Sequence, residues 1–303
     1  MKDKTITPPS LFHLAVVYIV WGSTYLAIRV AVREGSGFPP FIMGFLRVWT
    51  AGLILLIWAW LRKRRVKPTP AEWGTLVGSG LLLWTAANGL VIWAEVRADS
   101  GLTALLVASM PIWAAIIEAF LDRKLPSPLL IISLLVGFIG IGFLAAPNLT
   151  SGVRAELLST IALIIAPLCW ALGSVLQARR PVALTPQVNS AYQMLVGSVG
   201  FFILAFFIVR EPLPTPNQDA WLAWAYLVVF GSLLAYTSYV TVLGMLPINI
   251  VMTYAYVNPL IAVILGYLIL QEEITTWTIG GMVFVLLGVA GVFRDRYRNR
   301  DNG

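Results

Sequence analysis

The sequence SMPIWAAIIEAFL occupies residues 109–121, and VNPLIAVILGYLIL occupies residues 257–270. Their prolines, Pro111 and Pro259, lie 148 residues apart, and each precedes a largely apolar run. A recurrence at such a distance is typical of an internal repeat, in which one structural unit occurs twice along the chain. The pair therefore predicts a chain built as two related halves.

Further pairs of residues share this offset to within a few positions. At 148 residues, Ser133 aligns with Gly281 and Gly140 aligns with Gly288. Within each half these small residues are two helical turns apart, so they lie on one helix face. Other aligned pairs are Trp21 with Trp170, Pro40 with Pro186, and Gly52 with Ser198. The near-constant offset, more than any single pair, indicates a duplication.

The composition indicates that the surface of the protein faces lipid. Of the 303 residues, 59% are hydrophobic and only 12% are charged, whereas soluble domains carry about 25% charged residues. A soluble chain must cover its surface with polar groups, so the deficit indicates a membrane protein. The net charge of +7 comes from short basic clusters between apolar runs, which is typical of membrane topology and not of a nucleic-acid-binding face. A single cysteine, Cys169, excludes an internal disulfide.

Apolar runs long enough to cross a bilayer, which takes roughly 20 residues, recur along the chain. We predict an all-α integral membrane protein with ten transmembrane helices, at residues 11–33, 39–61, 73–95, 101–121, 127–146, 156–178, 187–209, 219–242, 248–270 and 275–293. The two five-helix repeats cover residues 11–146 and 156–293, with short tails at 1–10 and 294–303. Because five is odd, the second half crosses the membrane upside down. Inverted repeats of this kind support alternating access around a site near the midplane.

The basic residues predict the orientation in the membrane. With the N-terminus in the cytoplasm, fifteen of the 21 lysines and arginines fall in cytoplasmic segments and four fall in outer loops. Short cytoplasmic loops carry the excess of Lys and Arg in membrane proteins. We therefore expect both termini in the cytoplasm. The expected location is the inner (plasma) membrane of a bacterium.

Several motifs resemble those of one superfamily of transporters. They are VWGSTYLAIRVA (20–31), FLRVWTAGLIL (45–55), SGLTALLVASMPIWAAIIE (100–118), CWALGSVLQARR (169–180) and AYVNPLIAVILGYLILQEEIT (255–275). In this order they resemble the drug/metabolite transporter superfamily, and within it the ten-helix EamA-type exporters, over residues 11–293. In overall pattern the chain is also similar to amino-acid exporters of the YddG type. The resemblance implies two inverted five-helix repeats and the export of small metabolites.

Three classes of function fit a membrane protein of this size. A carrier of small metabolites, amino acids among them, is the leading interpretation, and a carrier of nucleotide-sugars, sugar phosphates or drugs is the alternative within transport. Phosphate groups favour buried Lys or Arg, and only Arg47 lies well inside a predicted span. An intramembrane enzyme needs clustered metal ligands or a paired nucleophile, and the chain has one histidine and one cysteine. A scaffold subunit is disfavoured because long cytoplasmic segments are missing.

These interpretations determine the expected partners. A carrier acts on a small-molecule solute within the lipid bilayer, and we expect no cofactor, no metal and no nucleic acid. We expect the protein to be a monomer, and we expect that it is not an enzyme.

Aromatic and polar residues near the centres of spans form the candidate site. Trp84 and Asn88 are four residues apart and share one helix face, and Ser232, Tyr236 and Tyr239 share another. At the repeat offset Asn88 aligns with Tyr236. Buried Trp and Tyr need hydrogen-bond partners, which lipid does not offer, so these side chains should face the interior of the bundle.

The same residues predict what kind of solute the interior holds. Trp21 with Ser23, and Trp170, would close the cavity from the first and sixth spans. Asn88 would bind the ammonium or carboxylate of a zwitterion, and the aromatic rings would stack on its side chain or hold a cation. Aromatic amino acids are therefore the predicted solutes. The alternative is that these residues only hold helices together.

Two ionisable residues within the spans have functional interpretations, because charge is costly in hydrocarbon. Arg47 would contact a carboxylate of the solute, or else make a structural contact between helices. Glu118 lies two turns beyond Pro111, near the cytoplasmic end of its span. It would accept a proton in a coupled transport cycle, or else pair with a loop cation.

Overall fold

In the part of the chain that the structure describes, ten helices follow one another. The structure is a computed structural model that describes residues 6–33, 35–95, 103, 106–150, 157–270 and 274–301. The helices are α1 (Pro8–Ala31), α2 (Pro40–Leu61), α3 (Pro70–Gly80, Leu81–Asn88 and Gly89–Glu95), α4 (Met110–Asp122), α5 (Pro128–Thr150), α6 (Leu157–Arg179), α7 (Pro186–Ile203 and Leu204–Ile208), α8 (Gln218–Tyr226, Leu227–Tyr236 and Thr237–Met245), α9 (Ile248–Val251 and Tyr254–Leu270) and α10 (Thr276–Asp301). Within these residues the structure has no strand, and the predicted all-α fold is confirmed.

Proline and capping residues determine where the helices begin. α1, α2, α3 and α7 have a proline in the first turn, where its missing N–H costs no helical hydrogen bond. The side chains of Thr185 and Asn217 each accept a hydrogen bond from the N–H three residues on, which caps α7 and α8. As a result α1 begins at Pro8, before the predicted start at residue 11. α10 continues to Asp301, past the predicted end at residue 293, because a helix persists beyond its apolar run.

The described part of the fourth predicted span contains a break. The sequence predicts a continuous helix over residues 101–121, but the described helix breaks at residues 108–109 and α4 has only 13 residues. Pro111 accounts for the break, because proline lacks an N–H and clashes with the preceding turn of a helix. Nine of the described helices are therefore long and apolar enough to span a membrane, and α4 is the exception. α9 has a comparable break at residues 252–253.

Equivalent helices of the two halves pack against each other, α2 with α7 and α5 with α10. Where α5 meets α10, a Cβ added to Gly140 would lie 2.9 Å from the carbonyl oxygen of Gly281. A Cβ added to Gly288 would lie 2.8 Å from the carbonyl oxygen of Ser133. Small residues permit such close approach of helices in a membrane. The helix faces predicted from the repeat are thus confirmed, and the order of the contacts makes α5 and α10 antiparallel.

The connections between helices gather at two ends of the bundle. At the Ser36 end, the Asn217 N–H donates to the Ser36 carbonyl oxygen (2.9 Å), which joins the connections before α2 and α8. At the Val66 end, the Tyr192 hydroxyl donates to the Val66 carbonyl oxygen (2.8 Å), which joins the connection before α3 to the first turns of α7. Successive helices run between these ends in alternation. α1 and α6, the first helices of the two halves, therefore run in opposite directions.

Candidate functional site

Six buried aromatic side chains meet in the interior of the bundle, and we call them the aromatic cage. They are Trp21 of α1, Trp84 of α3, Trp170 of α6, Tyr236 and Tyr239 of α8, and Tyr254 of α9. The ring centroid of Trp21 lies 4.9 Å from that of Tyr254 and 5.1 Å from that of Tyr239. It lies 5.7 Å from Trp170 and 6.5 Å from Tyr236. The prediction that aromatic residues near the centres of spans face the interior is confirmed.

Trp84 and Tyr236 lie on equivalent helices of the two halves. Trp84 belongs to the piece Leu81–Asn88 of α3, and Tyr236 belongs to the piece Leu227–Tyr236 of α8. Both pieces are π-helical, and they coincide at the repeat offset. Such wider turns occur frequently at functional sites. The two ring centroids are 4.8 Å apart, so the repeat brings both π-helical pieces to the cage.

Hydrogen bonds hold the Trp21, Trp170 and Tyr239 rings of the cage in position. The Trp21 indole N–H donates to the Gly231 carbonyl oxygen (3.0 Å), and the Trp170 indole N–H donates to the Tyr239 hydroxyl (3.1 Å). The Tyr239 hydroxyl also forms a hydrogen bond with Ser174. These contacts satisfy polar groups that lipid would leave without a partner.

Arg47 of α2 is a buried cation beside the cage, with 9% of its surface exposed. Its Nε donates to the Ser232 Oγ (2.9 Å), and its Cζ lies 5.9 Å from the ring centroid of Trp84. A Cβ added to Gly231 would lie 2.8 Å from the Arg47 Nη2, so glycine makes room for the guanidinium. In the described part of the chain no carboxylate forms an ion pair with Arg47. A buried charge without a counter-ion is costly, and an anion bound there would offset that cost.

Buried amides extend the site from the cage toward the Val66 end. The Tyr236 hydroxyl donates to the Gln193 Oε1, and the Gln193 Nε2 donates to Gln177 and to the Asn189 Oδ1, the latter at 2.7 Å. All three amides are buried. They are missing from the predicted site, although Asn189 and Gln193 lie four residues apart in α7. That spacing, which places both on one helix face, was the signal available in the sequence.

Two predicted site residues form contacts outside the cage. The Ser23 Oγ forms a hydrogen bond with the Tyr226 hydroxyl (2.6 Å). The Asn88 side-chain amide donates to the Leu83 carbonyl oxygen of its own helix (2.7 Å). The wider π-helical turn leaves a carbonyl five residues back within reach of that side chain. Asn88 is thus bound to its own turn.

The acidic residue considered for proton coupling lies away from the cage. Glu118 is at the Val66 end of α4, where its Oε1 is 3.6 Å from the Nη2 of Arg179. Arg179 also pairs with Asp122 at 2.7 Å. The structure therefore shows the ion pair that the sequence offered as the alternative to a proton acceptor.

A cavity of about 640 Å³ lies at the Ser36 end, between α1, α8 and α9. Its charged and polar lining residues are Ser23, Arg33, Ser36, Asn217, Asp219 and Tyr226. Ser23 and Tyr226 are the lining residues nearest the middle of α1 and α8. Trp21 lies two residues before Ser23 along α1, so the inner end of the cavity and the aromatic cage lie at similar depths along that helix.

Comparison with known proteins gives both sequence and structural relatives. The profile of the EamA-like transporter family matches residues 9–146 and again residues 157–294. The uncharacterized inner membrane transporter YedA of Escherichia coli (strain K12) is 32% identical over 262 residues, which are 85% of this chain and 82% of that protein. The uncharacterized transporter sll0355 of Synechocystis sp. is 24% identical over 293 residues, 91% of this chain and 87% of that one. A crystal structure with 17% identity shares the fold, with a TM-score of 0.80 over 93% of this chain and 95% of its own.

Proposed function

Because this chain belongs to the EamA-like transporter family, we propose that it exports small amphiphilic metabolites, above all amino acids with aromatic side chains. Family membership itself makes the protein a membrane transporter and not an enzyme, in agreement with the sequence-based prediction. The family profile matches the chain twice, once in each half, as the internal repeat predicted. Two inverted halves support a cycle of alternating access through the aromatic cage.

The buried charge of Arg47 is the observation that carries the proposal. Ser232 accepts a hydrogen bond from the Nε, and the two Nη groups form no hydrogen bond with the described residues. A solute carboxylate could bind both groups in the planar geometry that guanidinium favours. The adjoining rings of Trp84, Tyr236 and Trp21 would then contact the solute side chain.

A carrier of nucleotide-sugars, sugar phosphates or drugs is the alternative within transport. A phosphate carries more charge than a carboxylate and calls for several cationic contacts. Among the described residues, Arg47 is the one arginine whose side chain is buried, and no lysine side chain is buried. This difference favours a monocarboxylate over a phosphate as the solute.

We also assign the orientation, with the Val66 end in the cytoplasm. The basic residues that follow α2 lie at this end, and an excess of Lys and Arg is typical of cytoplasmic loops. The name of the E. coli relative places that protein in the inner membrane, and we propose the same location here. Tags on both termini should be shielded from an impermeant reagent in intact cells. Labelling of either tag would contradict this orientation.

Flux into proteoliposomes tests the proposed solute. Labelled phenylalanine should enter by a saturable route, with competition from tryptophan but not from phenylalaninamide or a hexose phosphate. Arg47→Gln should raise the KM at least about tenfold, because it removes a charge-assisted contact to the carboxylate. The matched control is Arg62→Gln. The Arg62 Cζ also lies close to a tryptophan ring, 5.8 Å from the Trp58 ring centroid, but Arg62 is exposed. Uptake of a hexose phosphate that phenylalanine does not affect would overturn the amino-acid assignment.

A further inference from the structure

We infer that the cavity at the Ser36 end is a second solute site, which binds the zwitterionic head group of an amino acid between Arg33 and Asp219. This inference rests on the proposed function, because it concerns the same class of solute. It adds a separate station to the transport path, on the Ser36 side of the aromatic cage.

The size and walls of the cavity suit an amino acid. Its volume of about 640 Å³ lies within the range of roughly 300–1,000 Å³ that is usual for ligand pockets. Leu26 and Val30 of α1, Leu222 of α8 and Leu265 of α9 form apolar walls. Such a surface would contact an apolar or aromatic side chain, while the polar residues lie around it.

Charges of opposite sign line the cavity from two different parts of the chain. Arg33 follows the end of α1, and Asp219 lies in the first turn of α8. Among the described residues, neither side chain forms an ion pair. The carboxylate of a zwitterion would contact Arg33 and its ammonium would contact Asp219. Each would gain a charge-assisted hydrogen bond.

A hydrogen bond joins the two lining residues that lie nearest the middle of α1 and α8. The Ser23 Oγ and the Tyr226 hydroxyl, 2.6 Å apart, join α1 to α8 at this position. Trp21, the central ring of the cage, lies two residues before Ser23. A solute in the cavity would therefore be held by contacts different from those of a solute in the cage.

Protection of an introduced cysteine from a maleimide tests the second site on the full-length protein in detergent. Cys169 is first replaced by serine, since it is the one cysteine of the chain. Val30→Cys then places a thiol in the cavity wall. Leu213→Cys, a position that is 82% exposed and not part of the lining, is the matched control. Phenylalanine should slow labelling at position 30 and not at position 213.

Charge variants and phenylalanine analogues identify the contacts. Arg33→Gln should raise the half-protecting concentration of phenylalanine about tenfold, as expected for a lost charge-assisted contact. It should also abolish the preference for phenylalanine over phenylalaninamide. Asp219→Asn should abolish the preference over N-acetylphenylalanine. Arg33→Lys, which keeps the charge, should retain the first preference and shows that the fold tolerates substitution there.

Arg47→Gln separates this inference from the proposed function. In that background protection at position 30 should persist, because the cavity contacts do not include Arg47. Loss of protection would show that a single site accounts for binding and would overturn the inference. Protection that neither charge variant changes would also overturn it. Arg47-dependent flux of phenylalanine without any protection would reject the second site alone, whereas the absence of both would reject the proposed function as well.

Discussion

The Glu211 carboxylate accepts a hydrogen bond from the backbone N–H of Ile42 (2.8 Å) and a second from that of the neighbouring Phe41 (3.0 Å). These N–H groups belong to the first turn of α2, where they lack helical partners. At the opposite end of the bundle, Glu72 accepts a hydrogen bond from the Ala183 N–H (2.8 Å), just before α7. α2 and α7 are equivalent helices. Each half therefore uses a carboxylate to hold the start of the second helix of the other half.

Glu211→Ala should lower the free energy of unfolding by about 1–3 kcal/mol, because two partly buried N–H groups lose a charged acceptor. Thermal unfolding in detergent measures the change. Leu213→Ala, two residues along the same connection and 82% exposed, is the matched control and should leave the midpoint unchanged. An equal midpoint for Glu211→Ala and wild type would show that water replaces the carboxylate at no cost.

The same carboxylate should make stability depend on pH. Burial raises the pKa of Glu211 above its ordinary value of 4.5, and the two backbone N–H groups lower it by less. A raised pKa means that the Glu211 carboxyl binds its proton more tightly in the folded protein than in the unfolded chain. Protonation of Glu211 therefore stabilises the folded protein. This contribution grows as the pH falls through the raised pKa and is lost as the pH rises above it. Between pH 7 and pH 4.5 the midpoint of wild type should rise relative to that of Glu211→Gln. A constant difference would contradict the raised pKa.

Composition and repeat were sufficient to predict the helices and several of their contact faces. Lipid accepts only apolar surface, so the spans are visible as apolar runs, and duplication marks which faces recur. The burial of Trp21, Trp84, Trp170, Tyr236 and Tyr239 follows from the same reasoning, because their polar groups cannot face lipid. The break before α4 did not follow, since an apolar run continues through Pro111 although the helix does not.

The contacts within the candidate site were harder to predict. Helical spacing indicates which residues share a face, but not which residues of other helices lie at the same depth. The hydrogen bond from Gln193 on α7 to Gln177 on α6 therefore had no counterpart in the sequence argument. Asn88 was expected beside Trp84 in the solute site. The sequence argument assumed a regular helix of 3.6 residues per turn. It therefore did not predict the π-helical turn that brings the Leu83 carbonyl oxygen to the Asn88 side-chain amide.

Adding one methyl group at two glycines of α5 and α10 should have opposite effects. In Gly288→Ala the new Cβ would lie 2.6 Å from the Cα and N of Gly137, and backbone atoms cannot move aside without separating the helices. We expect a loss of about 1–3 kcal/mol of stability. Gly142→Ala places its Cβ in open space and should gain up to about 1 kcal/mol from the better helix propensity of alanine. Thermal unfolding of both variants checks the signs, and a stabilised Gly288→Ala would refute the close contact.

Glu118→Gln should leave pH-driven transport intact. Its carboxylate is close to Arg179 and lies at the Val66 end, away from the aromatic cage. The pair is partly exposed, so its loss should change stability by no more than about 1 kcal/mol. Flux driven by an imposed pH gradient in proteoliposomes, compared with flux at equal pH, makes the measurement. A variant that still equilibrates phenylalanine but no longer responds to the gradient would instead assign proton coupling to Glu118.

Replacing a tyrosine ring inside and outside the cage should separate solute binding from packing. Tyr239 and Tyr256 are both completely buried, and their hydroxyls both have hydrogen-bond partners. Tyr239→Leu and Tyr256→Leu should therefore each lower the stability of the solute-free protein by a few kcal/mol, roughly the 3–5 kcal/mol of a large aromatic truncation or less. Truncation to alanine would open larger cavities and risks unfolding both.

The solute then distinguishes the two positions. A solute at one hundred times its Kd adds about 2.7 kcal/mol to the stability of a protein that binds it only when folded. Phenylalanine should give this stabilisation to wild type and to Tyr256→Leu, because Tyr256 donates to the Leu134 carbonyl oxygen (2.9 Å) and lies outside the cage. It should give little to Tyr239→Leu, which has lost a ring face 5.1 Å from Trp21. Tyr239→Phe keeps the ring and should keep most of the effect, so equal stabilisation of all three variants would mean that the cage only packs helices together.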